Sequence, residues 1–103
     1  MAVVSMMRIS GDSDELVAKI EQHVRPVGRR LGPQHGGLAN IVAKTSDGVI
    51  AINLWNSEEG RHAMAAEPEM QDAVRAAGLP EPHFESFEIA FYTILPEALE
   101  GSG

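Results

Sequence analysis

The sequence predicts a single α+β domain in which four strands form an antiparallel sheet beside two helices. Short runs of β-branched and apolar residues stand near both ends and in the middle of the chain, as strands do. Two longer stretches between them carry apolar residues at three- and four-residue steps, as amphipathic helices do. The chain has 103 residues, enough for one compact core. We expect the domain to span residues 1–96, followed by a flexible C-terminal tail over residues 97–103.

The first half of the chain is predicted to run strand, helix, strand. The first strand covers about residues 2–9, and Asp12 then lies three residues before Glu15, the spacing of a helix-capping box. Pro26 should kink the following helix or end its regular part. A glycine-rich loop leads to a second strand over residues 38–44. The inward stripe of the helix consists of Leu16, Val17, Ile20, Val24, Val27 and Leu31.

The second half of the chain is predicted to contain a hairpin, a divided helix and a last strand. Asp47-Gly48 should turn the chain tightly into a third strand over residues 49–55, because this pair supplies the positive φ that a hairpin needs. Asn56 is predicted to cap the next helix, and Pro68 to divide it into two pieces. A fourth strand is expected over residues 84–95. The inward stripe of the divided helix is built mostly from alanines: Ala63, Ala66, Met70, Val74 and Ala77.

This order of elements predicts a ferredoxin-like βαββαβ fold whose sheet is apolar on both faces. The fold places both helices on one face of the sheet. In the third strand, however, Ile50 and Ile52 share one parity while Val49 and Trp55 share the other. Neither face therefore alternates to polar residues, as a solvated face would. Since the chain has nothing left to cover the second face, we expect a second copy to cover it in a two-fold dimer, giving a dimeric α/β barrel.

Composition argues against several classes of function. Eight basic and fifteen acidic residues give a formal charge of −7, so the basic footprint needed to bind nucleic acid or an anionic membrane is missing. The chain has no cysteine, which excludes disulfides and thiolate chemistry. No histidines have the spacing or carboxylate partners of a familiar metal site, so no metal is expected. Without a recognisable signal peptide or membrane-spanning segment, a cytoplasmic protein is expected.

The stretch from Val49 to Met70 resembles the antibiotic-biosynthesis-monooxygenase (ABM) superfamily of dimeric α+β barrels. Its members often carry a tryptophan, a serine and two acidic residues, then an apolar helix and a proline step. The corresponding residues here are Trp55, Ser57, Glu58 and Glu59, followed by Glu67-Pro68-Glu69-Met70. The resemblance implies a homodimer that binds a hydrophobic small molecule. It further implies oxygenation of an electron-rich aromatic or polyketide-like substrate without a cofactor.

Two subgroups of the superfamily do not fit this sequence. Quinol-oxidising members carry one histidine in mid-helix and another after the proline, where this chain has Met64 and Glu69. Haem-degrading members carry a tryptophan and an iron-ligating histidine at positions that correspond to Met64 and Val74. Neither residue can ligate haem as histidine does. The comparison therefore implies no haem and no other tightly held cofactor.

Polar residues interrupt the otherwise apolar strands and are predicted to line a cavity between the helices and the sheet. Asn53 is the lone polar residue within the third strand, and Asn40 is placed similarly in the second. Asn53 is a candidate catalytic group on the floor of that cavity. The alternative is that these polar groups satisfy one another or buried water, and that Trp55 belongs to the core. The candidate substrate-binding residues are Asn40, Trp55, Met64, Glu88 and Tyr92.

Two histidines are candidates for a general base, because an imidazole can exchange protons near neutral pH. His23 falls on the inward stripe of the first helix, and His62 borders that of the second. The alternative, which is the more common case for a histidine so placed, is a half-buried residue without a catalytic role. His35 lies in the glycine-rich loop and could gate the mouth of a cavity. Glu88 would be a further base if it were buried, and otherwise an edge charge that prevents strand addition.

Two classes of function stay open on this evidence. The first is an enzyme without a tightly held cofactor, either an oxygenase or an isomerase or cyclase, that acts on a flat hydrophobic molecule. The second is a non-catalytic dimer that binds a small ligand or serves as an accessory subunit. The polar strand residues favour the first class, and the missing family histidines favour the second.

Overall fold

The computed structural model describes residues 1–95 and Gly101 and contains the predicted four-stranded antiparallel sheet. Its strands are β1 (Val3–Ser10), β2 (Gly37–Thr45), β3 (Gly48–Trp55) and β4 (His83–Glu88), in the spatial order β2-β3-β1-β4. All neighbouring strands are antiparallel. The predicted α+β, ferredoxin-like fold class is confirmed. The predicted tail, residues 97–103, lies outside the described residues except for Gly101.

Helical segments connect β1 to β2 and β3 to β4. The first connection comprises α1 (Ser13–Lys19), a π-helical turn (Ile20–Val24), α2 (Arg25–Leu31) and a 3-10 turn (Gly32–His35); the second comprises α3 (Glu58–Ala65) and α4 (Pro68–Ala77). The π-helical turn directly precedes Pro26. Proline has no N–H to donate and its ring crowds the carbonyl four residues earlier, which accounts for the local widening. The interruptions predicted at Pro26 and Pro68 are both observed.

The helix starts show one confirmed cap and one correction. The Asp12 carboxylate accepts the backbone N–H three residues on at 3.0 Å, as predicted for α1. The N-cap of α3 is Ser57 and not Asn56, since the Ser57 hydroxyl accepts the Gly60 N–H at 3.0 Å. Asn56 instead donates its backbone N–H to the Gly36 carbonyl at 2.8 Å. That bond holds Asn56 at the end of β3, one residue too early to cap the helix.

The helices pack on the face of the sheet formed by odd-numbered residues of β1 and β3. The core beneath them consists of two clusters. The first, here called the Trp55 cluster, contains Val3, Leu31, Trp55 and Met64, with Val27 and Met70 packed against it. The second, the Val49 cluster, contains Ile9, Leu16, Ile20 and Val49, with Val17, Val24, Val42 and Leu79 packed against it. All six members of the stripe predicted for the first helix belong to these clusters.

The inward stripe predicted for the second helix is wrong in most of its members. Ala63, Ala66 and Val74 are exposed, whereas Met64 is only 4% exposed. The extended backbone at Glu67 separates α3 from α4 and resets the helical phase, so one periodicity cannot run through both helices. Because Met64 packs against the sheet in place of an alanine, its side chain fills space that the predicted stripe would have left open.

The fourth strand is shorter than predicted. Its ladder ends at Glu88, which pairs with Val3, the first residue of β1. One further bond joins the Ile89 N–H to the Ala2 carbonyl at 2.9 Å. Residues 1–95 offer no partner strand beyond that point, so residues 90–95 continue outside the sheet.

The hairpin between β2 and β3 forms where predicted, but for a different reason. Positive φ occurs in the described residues at three glycines, and Gly48 is not among them. A Cβ at Gly48 would lie 1.9 Å from the Ile9 carbonyl oxygen of the neighbouring strand. Glycine is therefore needed at this turn for close approach of two backbones rather than for its φ.

The opposite face of the sheet, here called the open face, is covered by no helix among residues 1–95 and is mostly apolar, with the polar residues Arg8, Ser10, His83 and Glu85 towards the C-terminal end of β1. It is formed by even-numbered residues of β1 and β3 with their partners on β2 and β4. Ile41 is 54% exposed and Phe87 is 49% exposed. The other large apolar members are Val4, Met6, Ile50, Ile52 and Leu54. Within residues 1–95, no helix is long and apolar enough to cross a bilayer.

Candidate functional site

Four polar residues, one from each strand, cross the helix-covered face of the sheet. Ser5 of β1 pairs in register with Asn53 of β3 and with Ser86 of β4. Asn53 pairs in turn with Asn40 of β2. Residues directly opposite on antiparallel strands project to the same face. Asn40, Asn53, Ser5 and Ser86 therefore form one line across the sheet, here called the polar row.

The polar row lies between the two apolar clusters. Along β1, Val3 belongs to the Trp55 cluster and Ile9 to the Val49 cluster, with Ser5 between them. Ser5 is 2% exposed, whereas Asn53 is half-buried and Asn40 is exposed. The row is deepest at its centre and reaches solvent at the β2 edge of the sheet.

Hydrogen bonds orient the side chains of the row and leave the Asn53 amide nitrogen available as a donor. Asn40 Nδ2 donates to Asn53 Oδ1 at 2.6 Å, and Trp55 Nε1 donates to Ser5 Oγ at 3.4 Å. No buried side-chain N or O atom of the described residues lacks a partner. Among the described contacts the Asn53 amide nitrogen has no acceptor, so it can donate to a ligand oxygen.

A charged cluster on α3 meets the other end of the polar row. Ser86 Oγ donates to Glu58 Oε2 at 3.1 Å, and Arg61 Nε donates to Glu58 Oε1 at 2.6 Å. The Arg61 guanidinium also stacks on Phe84, with Cζ 4.6 Å from the ring centroid. The Arg61 side chain is only 15% exposed. These contacts join α3 to the edge strand β4.

The contacts lower the pKa of the Glu58 carboxyl. The hydrogen bond from Arg61 is the largest cause; burial opposes it, while the Ser86 hydroxyl and the charges of Arg61 and His62 add to the lowering. The carboxylate therefore stays ionised at neutral pH and makes a poor general base. Its evident role is to hold Arg61 and Ser86 in place.

Sequence reasoning did not select Ser86, Phe84, Glu58 or Arg61 as site residues. Ser86 could have been found from strand parity, because it lies two residues before Glu88, which was selected. Its alignment with Ser5 depends on how β4 pairs with β1, and no local pattern encodes that pairing. The Glu58 and Arg61 contacts depend on the same pairing.

The three predicted catalytic residues lie on three different elements. Asn53 belongs to the polar row on β3, and His23 is half-buried in the π-helical turn. His62 lies on α3 with its side chain 68% exposed and Nε2 3.4 Å from Glu58 Oε1. No group of three or more His, Asp or Glu side chains in residues 1–95 could hold a metal ion. A catalytic role for His23 or His62 stays a prediction.

The predicted substrate-binding residues divide into core and surface positions. Trp55 and Met64 are buried together in the Trp55 cluster. Asn40 stands at the open end of the polar row, while Glu88 and Tyr92 are exposed. Glu88 pairs with Val3 and so occupies the helix-covered face of β4.

The two most pronounced cavities among the described residues lie away from the polar row. The larger, about 300 Å³, is a surface cavity lined by Glu21, Arg25, Pro26 and Arg29. The smaller, about 110 Å³, lies at the turn end of β1 and β3 and includes Arg8 and Asp47. Neither of them is the cavity predicted above Asn53. The row is open to solvent at Asn40, whereas its centre at Ser5 is buried.

Solved structures of low sequence identity share this fold. SnoaB, a cofactor-independent oxygenase from Streptomyces nogalater, matches with a TM-score of 0.69 at 16% identity, over 92% of this chain and 97% of that one. A provisionally named antibiotic biosynthesis monooxygenase from Nitrosomonas europaea matches with a TM-score of 0.71 at 10% identity, over 89% and 93%. No family model and no curated protein matches the sequence.

These likenesses confirm the resemblance at the level of the fold. The chain is an α+β protein with the fold of ABM-type proteins, which include a cofactor-independent oxygenase. Its activity and substrate need their own evidence, because one fold carries many functions.

Proposed function

We propose that the protein is a homodimeric, cofactor-independent oxygenase that acts on a flat aromatic molecule bound along the polar row. The polar row is the observation that carries this proposal. It places four hydrogen-bonding side chains in one line across an otherwise apolar layer. Ligand sites commonly combine apolar walls with a few placed polar groups. The fold shared with a cofactor-independent oxygenase supports the same function.

The proposed chemistry uses the Asn53 amide as an electrostatic stabiliser. A substrate whose keto form carries a methylene group conjugated with a carbonyl loses a proton to solvent water and forms an enolate, which then reacts with dioxygen. One oxygen atom becomes a new carbonyl group on that carbon, and the other leaves as water. The half-buried Asn53 Nδ2 would donate to the developing enolate oxygen, where a preorganised donor is most effective.

A second copy of the chain is the proposed cover for the open face. Soluble monomers rarely expose contiguous apolar patches larger than a few hundred Å². Here Ile41 and Phe87 are exposed on the open face, and Phe91 and Leu95 are exposed just beyond β4. Residues 90–95 have no partner strand within the part of the chain that the structure describes. Packing two open faces together, with each C-terminal stretch against the other copy, would bury all of these side chains.

Oxygen uptake tests the proposed activity most simply. We would incubate the protein with a panel of hydroxylated anthrones and naphthols, in the presence of a chelator, and follow dioxygen and product together. The expected result is one dioxygen consumed per carbonyl formed. Asn53→Ala should lower the rate about 100-fold, as removal of an oxyanion donor does, while Gln22→Ala, which removes an exposed amide, should not. No uptake above buffer across the panel, or equal rates in the two variants, would contradict the proposal.

A non-catalytic binding dimer is the second candidate. Burial at the centre of the row favours it, because Ser5 is 2% exposed and neither cavity described above includes the row. The same panel separates the candidates. A compound that raises the melting temperature without any turnover indicates a binding protein. A compound that is converted without oxygen uptake indicates an isomerase or cyclase.

A further inference from the structure

Residues 32–37, here called the cover loop, lie against the end of β3 that carries Trp55. After the 3-10 turn, Gly36 adopts a φ of +80° and leads the chain into β2. The Gly36 carbonyl accepts the Asn56 N–H at 2.8 Å. A Cβ at Gly37 would lie 3.3 Å from the Trp55 ring. The cover loop is therefore in direct contact with the rim of the Trp55 cluster.

One side-chain contact ties the cover loop to the break between α3 and α4. His35 Nε2 lies 2.7 Å from Glu67 Oε1, and the two side chains are 21% and 31% exposed. Glu67 is the N-cap residue of α4, yet its side chain makes no capping hydrogen bond to that helix. Its carboxylate is directed to the loop instead. Partial burial makes this hydrogen bond stronger than one between fully exposed side chains.

A neighbouring ion pair, formed from α2, supports the His35–Glu67 contact. Arg30 pairs with Glu69, and both side chains are about half exposed. Glu67 and Glu69 flank Pro68, so both pairs anchor the same helix break. Exposed ion pairs contribute little to stability, and Arg30 belongs to α2 rather than to the cover loop. His35–Glu67 is therefore the side-chain contact that joins the cover loop to this helix break.

The backbone of the cover loop is suited to movement as a unit. Glycines stand at both of its ends, Gly32 on one side and Gly36-Gly37 on the other. Glycine tolerates the backbone changes that a hinge must absorb. Between them the His35 carbonyl rests on α3, where a Cβ at Gly60 would lie 2.0 Å from its oxygen. Movement of the loop would uncover Trp55.

We propose that the cover loop is a lid over the Trp55 end of the ligand layer and that the His35–Glu67 pair is its latch. The inference rests on the proposed function, because a ligand that extends to the buried Ser5 and Trp55 end of the layer needs an entrance there. Opening the lid breaks this hydrogen-bonded pair and lifts the loop from Trp55. The latch thus sets how often a ligand can enter.

Trp55 fluorescence tests the latch without any assay of activity. Trp55 is the sole tryptophan of the chain, so acrylamide quenching reports its accessibility alone. His35→Ala and Glu67→Ala should each raise the Stern–Volmer constant roughly twofold, since a freed loop opens locally more often. The double variant should add little to either single change, because one contact is lost in all three. Asp72→Ala, which removes the exposed Asp72–Arg75 pair on α4, should leave quenching unchanged.

Two outcomes would overturn the latch. The first is wild-type quenching in both single variants, with melting temperatures near that of the wild type. The second is full additivity in the double variant, which would mean independent loosening at two places.

A reversible cross-link keeps the test decisive if either alanine variant unfolds. The chain has no cysteine, so His35→Cys with Glu67→Cys can be joined by a short thiol-cleavable linker. The linked protein should resist quenching and exclude a substrate-like dye until reduction restores both. Equal quenching before and after reduction would contradict the lid. If quenching responds but no compound is bound or converted, the lid stands and the proposed function fails.

Discussion

The two faces of the sheet differ in polarity, as two adjacent residues of β3 show. Ile52 and Asn53 are adjacent in β3, yet Ile52 lies on the open face and Asn53 on the helix-covered face. The covered face carries the polar row at its centre, while the centre of the open face is apolar around Ile52 and its polar residues lie towards one end. A single chain in water would favour the reverse arrangement. The comparison teaches that the polarity of each face matches its proposed contact: a ligand on the covered face and another copy of the chain on the open face.

A charge on the open face should give the largest effect. Ile52 pairs with Met6 and Ile41 at the middle of that face. Ile52→Asp would place an unpaired carboxylate in the proposed dimer interface, where an uncompensated buried charge costs about 3–5 kcal/mol. We expect sedimentation equilibrium to report a dimer for the wild type and a monomer or aggregate for the variant. Val74→Asp, on the exposed side of α4, should remain dimeric. A wild-type monomer at micromolar concentration would contradict the proposal that the open face is a dimer interface.

Packing on the covered face should not tolerate an added methyl group where the cover loop meets α3. Gly60→Ala puts a Cβ against the His35 carbonyl, and such overpacking costs about 1–3 kcal/mol. Gly32→Ala is the matched control, because Gly32 has helical φ and a Cβ added there would meet no heavy atom within 4 Å. It should be neutral or slightly stabilising. Urea denaturation measures both, and equal stabilities would show that the loop is not seated on α3.

The Glu58 cluster predicts a smaller, pH-dependent effect. The pKa of Glu58 is lowered from its ordinary value of 4.5, so the carboxylate stabilises the folded state above that pH. The contribution is lost as the pH falls through the lowered pKa. Glu58→Gln should therefore reduce the melting temperature at neutral pH, and the difference from wild type should shrink below about pH 4.5. Glu81→Gln, at an exposed position before β4, provides the control. A difference that grows on acidification would contradict this sign.

Local sequence patterns predicted the fold well because strand parity and helix stripes are local properties. They placed Asn53 and Asn40 on polar positions of neighbouring strands, and the register confirms that the two are paired. They failed at Met64, because the backbone break at Glu67 changes the helical phase. They also failed to reveal the His35–Glu67 contact, since residues 32 positions apart meet only after α3 and the cover loop have packed.

The melting temperature and oxygen uptake of Asn53→Leu, measured on one preparation, test the function of the covered face most directly. Stranding a buried hydrogen-bond partner costs about 1–3 kcal/mol. The partner here, Asn40, is exposed and can turn to water. We therefore predict an unchanged or higher melting temperature together with a large loss of uptake. A large fall in melting temperature with wild-type uptake would make Asn53 a structural residue and contradict a ligand site on the polar row.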